Sequence, residues 1–179
     1  MSTRKELEAL FRKRGYADFK WIDPAKIVVA QWVRMKCVFG CGNYGKSGCC
    51  PPEVPSVEEC ERFFRDYEEA VVFHFAKKVR KPEDRHEWSA GVNRKLRELE
   101  REVFLAGNRK AFLLPMDSCG LCKECTGTRR DCLNKKGARP SADAMAVDVF
   151  ETVRAIGYPI EVLTDYRQTM NRYAFLLVR

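Results

Sequence analysis

Nine cysteines lie in this chain of 179 residues, and eight of them fall in two short runs. The second run, S-C-G-L-C-K-E-C-T-G-T-R-R-D-C, supplies Cys119, Cys122, Cys125 and Cys132. Cys-x2-Cys-x2-Cys lets three thiolates of one tight loop converge on three corners of an iron–sulfide cube, and a nearby fourth completes the set, as in bacterial ferredoxin loops. Here the fourth follows after six residues and no proline comes next. The match is to the chemistry rather than to the ferredoxin fold. Gly120 and Gly127 give the backbone freedom for a tight wrap. The alternative is zinc, which needs only four thiolates in a tetrahedron and usually takes two separated Cys-x2-Cys knuckles. The spacing favours a [4Fe–4S] cluster.

The first run, K-C-V-F-G-C-G-N-Y-G-K-S-G-C-C-P-P, supplies Cys37, Cys41, Cys49 and Cys50. Its glycines at 40, 42, 45 and 48 suit a loop folded closely around an inorganic core. Neighbouring cysteines rarely both ligate one ion in a relaxed geometry. Cys50 precedes Pro51, like the Cys-Pro end of a ferredoxin loop, and is the preferred ligand of the pair. Cys37, Cys41 and Cys50 are then three ligands, and the fourth is Cys49, Cys60 or no protein group. Cys60 falls in the first turns of a helix, where the dipole favours a thiolate. It is equally an ordinary buried helix cysteine. With no fourth thiolate one iron is open, which suggests Lewis-acid or sulfur chemistry rather than simple electron carriage.

Composition bounds these readings. Charged residues make up 32% and apolar residues 45%, as in a globular chain. No apolar run nears the ~20 residues of a membrane helix, and the charged N-terminus lacks a signal-peptide segment. The sequence therefore predicts a cytoplasmic protein, where thiols stay reduced and cysteines read as metal ligands before disulfides. Nine is also odd. A net charge of +8 and a pI near 9.1 favour acidic partners, among them a redox protein or nucleic acid. A generally basic solvated surface explains the charge more simply.

The elements that must hold the cysteines follow from periodicity. Residues 4–13 predict a helix with Leu7, Leu10 and Phe11 on one face. IVVAQWVRMK at 27–36 reads as a strand, and the first run follows it at once. Ser56 and Glu59 form a capping box that opens a helix to about Tyr67. AVVFHF at 70–75 predicts a buried strand. Residues 90–106 predict a helix on Val92, Leu96, Leu99 and Val103. AFLL at 111–114 predicts a strand that leads into the second run. Ser141 caps a helix with Met145, Val149, Val153 and Ile156 inward, ended by Gly157. IEVL at 160–163 and YAFLLV at 173–178 predict a closing hairpin. No repeat or linker interrupts residues 1–179, so one α/β domain is expected. Alternating helices and strands predict a mixed, largely parallel sheet covered by helices, with both cysteine loops at one sheet edge.

The two runs, the P-S-V-E-E after the first, and C-L-N-K-K-G-A-R-P-S-A-D-A-M-A-V-D-V-F after the second resemble the predicted metal-binding protein family, domain of unknown function 2284. The resemblance spans Lys36 to Ile160. It implies a prokaryotic, cysteine-rich metal binder and supplies no reaction. The family pattern is Cys-x3-Cys, Cys-Pro-Pro, Cys-x2-Cys-x2-Cys and a later cysteine before Arg-Pro-Ser. It implies Cys37, Cys41, Cys50, Cys119, Cys122, Cys125 and Cys132 as ligands and leaves Cys49 and Cys60 outside.

Other residues carry weaker signals. Arg139 could offset cluster charge; Pro140 and Ser141 read as a turn and a cap. Lys46, Lys123, Arg129 and Arg130 lie inside the loops, where they either balance charge, dock an acidic partner or are solvated. Tyr44 either shields the first site or packs. His74 and His86 lack ligand spacing and read as structural. KKVRK at 77–81 reads as a solvated face. No phosphate loop, dinucleotide fingerprint, nucleophile elbow or HExxH helix is present. Three functions remain: an electron carrier with two [4Fe–4S] clusters, a cluster enzyme with an open iron at the first site, and a zinc-stabilised module that binds nucleic acid or an acidic partner.

Overall fold

Capping residues set where several helices begin. In the computed structural model, which describes residues 2–165 and 167–179, Thr3 and Glu6 close a reciprocal cap at the start of α1 (Arg4–Lys13). Ser56 and Glu59 do the same for α3 (Val57–Arg65). Each cap satisfies two backbone donors that the helix itself leaves unpaired. Between them lie β1 (Phe19–Ile22), a 3-10 turn at Pro24–Lys26 and α2 (Gln31–Gly40). The chain continues through β2 (Ala70–Lys77), α4 (Asp84–Leu105), β3 (Phe112–Leu114), α5 (Val149–Ala155) and β4 (Met170–Leu177).

The four strands form one sheet in the order β1-β2-β4-β3. Every pairing is antiparallel, with Val72 opposite Phe175 in the centre and Leu113 opposite Leu176 at the β3 edge. The α/β class holds, and the largely parallel sheet does not. Its cause is visible in the two cores. Val71, Phe73, Leu113, Ala174 and Leu176 face α1 and α4 through Leu7, Phe11, Leu96, Leu99 and Val103. Ala70, Val72, Leu114, Phe175 and Leu177 face α3, α5 and the 141–147 segment through Phe64, Val153, Met145 and Val147. Both faces are covered, so successive residues are all apolar. That pattern reports burial on two sides and is the usual mark of parallel strands; it carries no information about strand direction.

Three further expectations change. Residues 27–36 are not a strand: Val29 makes a single bridge to Val147, and the chain turns into α2 at Gln31. Glutamine, arginine, methionine and lysine there are good helix formers, and only Val33 is buried in α2. The helix expected from Ser141 begins at Val149 instead, capped by Asp148. Ser141 caps a turn by accepting the Ala144 N–H at 3.2 Å, and Ala146 takes a left-handed φ of 59° that breaks helical continuity. Residues 160–163 form no strand, and β4 pairs with β2 and β3. The strand β1 was not anticipated; its F-K-W-I alternation is short. Gly157, at φ 73°, follows the end of α5 as expected.

The second cysteine run leaves the carboxyl end of β3, and the first leaves the C-terminus of α2. The two loops therefore do not both follow strands of one sheet edge. Arg34 of α2 donates to the carbonyls of Pro55 and Ala144, each at 3.1 Å, and so ties α2 to the start of α3 and to the 141–147 segment. Asn93, buried on α4, bonds both backbone groups of Met116 and fixes the chain just before Cys119.

Replacing Asn93 with alanine leaves a buried N–H and a buried C=O of Met116 without partners. The expected loss is about 1–3 kcal/mol of unfolding free energy, measured by urea denaturation. An unchanged midpoint would contradict the anchoring role.

Candidate metal centre

The two cysteine loops are built against each other, backbone on backbone. A Cβ placed on Gly48 would lie 2.5 Å from the Thr128 carbonyl oxygen and 2.7 Å from its carbon. Only glycine allows that approach. Glu53 of the first loop accepts the Arg129 N–H of the second at 2.7 Å. Gly127 turns the second loop with a φ of 82°, where its α-carbon faces the Gly45 carbonyl. Within the first loop the Gly45 N–H bonds the Pro51 carbonyl at 3.0 Å.

This docking regroups the thiols. Cys49, from the first run, lines one cavity of about 210 Å³ together with Cys119, Cys122, Cys125 and Cys132. Cys49 is 5% exposed. The neighbouring Cys119 thiol, and then burial, raise the Cys49 pKa above the usual thiol range. The Cys119 pKa is lowered, first by Cys49 beside it and then by the Leu121 and Arg139 backbone N–H groups and the Arg97 charge, acting against burial. Cys125 is lowered by N–H groups of Gly127 and Gly48. Asn134 donates its amide N–H to Cys122 at 3.0 Å. Donors aimed at sulfur favour thiolate over thiol, and such hydrogen bonds tune thiolate-bound metals.

The first run keeps Cys37 in the last turn of α2, Cys41 at its C-cap and Cys50 in the loop. Burial, and then the charges of neighbouring Cys41 and Asp143, raise the Cys37 pKa, with Arg34 opposing. Burial is also the first cause at Cys50, which lies within reach of the Cys37, Cys41 and Cys119 charges. The Nε–H of Arg34 is buried without a hydrogen-bond partner among the described residues. Cys60 stands apart in the core, its Sγ 3.6 Å from the Pro55 carbonyl and 3.9 Å from the Met145 sulfur. Its surroundings fit the ordinary buried helix cysteine.

All nine cysteines are free of disulfides. Among the described residues no three Cys, His, Asp or Glu side chains converge on the geometry of a single bound ion. The thiols instead surround a space. Thiolates on one zinc, at about 2.3 Å from the metal, would stand much closer together than thiolates on separate irons of a cluster. The donor set of the second cavity, soft thiols met by sulfur-directed N–H donors, fits a thiolate-bound metal group.

Several contributors lie outside the two runs. Arg97 of α4 donates to the Cys119 carbonyl at 2.7 Å and the Gly137 carbonyl at 3.2 Å, with its other contact 4.0 Å from the Cys119 sulfur. It takes the place expected for Arg139, whose guanidinium instead pairs with Glu100 at 2.7 Å. Arg97 lies among many basic residues of α4, and nothing in the sequence marks it. Lys46 donates to the Gly42 carbonyl at 2.7 Å, Arg129 to the Lys135 carbonyl at 2.8 Å, and Arg130 forms an exposed pair with Asp131. Lys123 and Tyr44 are exposed. His74 bonds Asp18 and Asn171 between the Tyr158 and Tyr173 rings, as a structural histidine would. His86 is exposed, as are all of residues 77–81 except Val79.

Two interlocked loops with inward thiols, sulfur-directed N–H donors and no disulfide are the build of a cysteine-rich metal-binding protein. No helix among the described residues is long and apolar enough to cross a membrane. The chain belongs to the family described as Predicted metal-binding protein (DUF2284), which it matches over residues 20–178. No curated protein and no solved structure matches it.

A methyl group on Gly48 must push the loops apart, because the atoms it meets are backbone. Gly48→Ala is expected to lower metal retention at both cysteine groups, read by metal analysis after gel filtration. Cys60→Ala should keep the full metal content and lose only core packing. Metal loss in Cys60→Ala with full retention in Gly48→Ala would reverse the assignment.

Proposed function

We propose that this chain is an iron–sulfur protein with two [4Fe–4S] clusters and an open iron at the first. Cys119, Cys122, Cys125 and Cys132 hold one cluster fully; Cys37, Cys41 and Cys50 hold the other. The observation that carries this reading is the position of Cys49. It lines the cavity of the second run beside Cys119, and Cys60 is buried in the core, so neither candidate fourth thiolate stands with the first group. Bound there, the clusters supply one-electron chemistry, and an iron without a protein thiolate adds a position for a substrate.

The remaining residues divide the work. Cys49, buried beside Cys119, favours the thiolate form of that sulfur. Arg97 clamps both ends of the second loop and brings a positive charge to the thiolates. Arg34 likewise brings a positive charge beside Cys37. Close docking of the loops keeps the two groups within a short path of each other, as Cys50 and Cys119 sense one another's charge. The second loop exposes Lys123, Arg129, Arg130, Lys135 and Lys136 against Glu124 and Asp131. That basic rim suits an acidic redox protein as the source of electrons, by steering its approach.

Protein made and purified without oxygen is expected to be brown and to contain about eight irons and eight sulfides per chain. Cys37→Ser and Cys119→Ser should each remove about half of that iron. Cys49→Ser should keep all of it. Selective loss of the first cluster in Cys49→Ser would identify Cys49 as its fourth ligand. Stoichiometric zinc without sulfide would end the cluster reading altogether.

A further inference from the structure

A second cavity opens directly beside the first cysteine group. It has a volume of about 490 Å³, within the roughly 300–1,000 Å³ of small-molecule sites. Cys37, Gly40 and Cys41 line its side toward the first cysteine group, and Trp32, Val33, Val147, Val149 and Phe150 give it apolar walls. Trp32, on α2, is 47% exposed. Phe150, on α5, supplies a second aromatic ring, with the Arg154 guanidinium 5.4 Å from its centroid.

The charges of the cavity are asymmetric. Asp143 and Asp148 both line it, and neither forms an ion pair among the described residues. Asp148 caps α5 by accepting the Glu151 N–H at 3.0 Å. Asp143 has no side-chain hydrogen-bond partner among the described residues; burial raises its pKa, with the Arg172 charge opposing, and it lies near enough to act on Cys37. The basic side chain lining the cavity, Lys36, sits 4.6 Å over the Trp32 ring. Metal-bound thiolates of Cys37 and Cys41 would add to the negative side. An anionic ligand would enter against this field; a neutral or cationic one would not.

We infer that this cavity is the substrate site of the open iron and takes a planar aromatic molecule without net negative charge, seated between Trp32 and Phe150 with its reacting edge toward Cys37 and Cys41. The inference rests on the open first site proposed above. Aromatic walls give the ring its affinity through burial and offset stacking. Asp148 selects against anions, and both carboxyl groups offer oxygens to hydrogen-bond donors of a neutral or cationic substituent.

Gly40 offers a clean way to close the cavity. A Cβ there meets no atom within 4 Å, and the position is helical, so a larger side chain projects into open space without a clash at its root. Ligand-detected NMR would be run on the anaerobic, iron-loaded protein with three probes of one ring system: 2-naphthylmethanol, 2-naphthylmethylamine and 2-naphthoate. The neutral and cationic probes should bind at least tenfold more tightly than the anion. Gly40→Leu should weaken both by tenfold or more at an unchanged unfolding midpoint. Phe150→Ala, outside the cysteine loops, should weaken them severalfold and serves where Gly40→Leu alters metal content. Equal binding of all three probes, or undiminished binding in both variants, overturns the inference. Iron and sulfide are measured on the same samples. A full complement of iron with no probe binding removes the pocket assignment alone. Selective probe binding by a protein that holds only zinc keeps the pocket and removes the open iron.

Discussion

Everything at the metal centre depends on one close approach, that of Gly48 to the Thr128 carbonyl. No side chain fits between the two backbones there. Because the loops touch at that point, Cys49 is delivered into the cavity of the second run, and the Gly48 N–H reaches the Cys125 sulfur. One steric fact thus brings a cysteine of the first run into the cavity lined by the second. The contact between Glu53 and the Arg129 N–H holds the same interface a few residues further along each loop.

Gathering thiolates is electrostatically unfavourable unless their charge is met. The chain meets it mainly with short-range donors rather than with exposed cations. Backbone N–H groups of Leu121, Gly127, Gly48 and Arg139 and the Asn134 amide act on the sulfurs. Arg97 contributes through a half-buried guanidinium that also braces two loop carbonyls. The lysines and arginines on the outer loop surface are instead solvated or tied to neighbouring carbonyls. Position relative to the core decides which cation matters: Arg97 is anchored on α4 against the sheet, whereas Lys123 stands on a loop tip.

The rest of the fold serves as a stiff mount. The sheet buries both faces, with α1 and α4 on one side and α3 and α5 on the other. Asn93 fastens the exit from β3, and Arg34 fastens α2 to the 141–147 segment. The two loops therefore leave fixed points and need little order of their own. Asp143, Val149 and Phe150 come from the return path of the chain after the second loop. They reach the first cysteine group because the 146–148 backbone bonds residues 28–30.

Local patterns determined what local interactions decide. The capping box at Ser56 and Glu59, the apolar face of α4 and the end of α5 at Gly157 depend on residues a few positions apart, and each was legible in the sequence. So was the cysteine-rich, metal-binding character of the chain, which the family match bears out. Only the tertiary structure decided strand direction, because apolar runs such as AVVFHF record burial on two faces and nothing about orientation. It alone turned 31–40 into helix, where a mixed set of residues met a single buried valine. It alone moved Cys49 from one group to the other and drew in Arg97 and Asp143. Those partners lie tens of residues apart in the chain, and their meeting follows from how the loops dock, which no spacing within either run encodes.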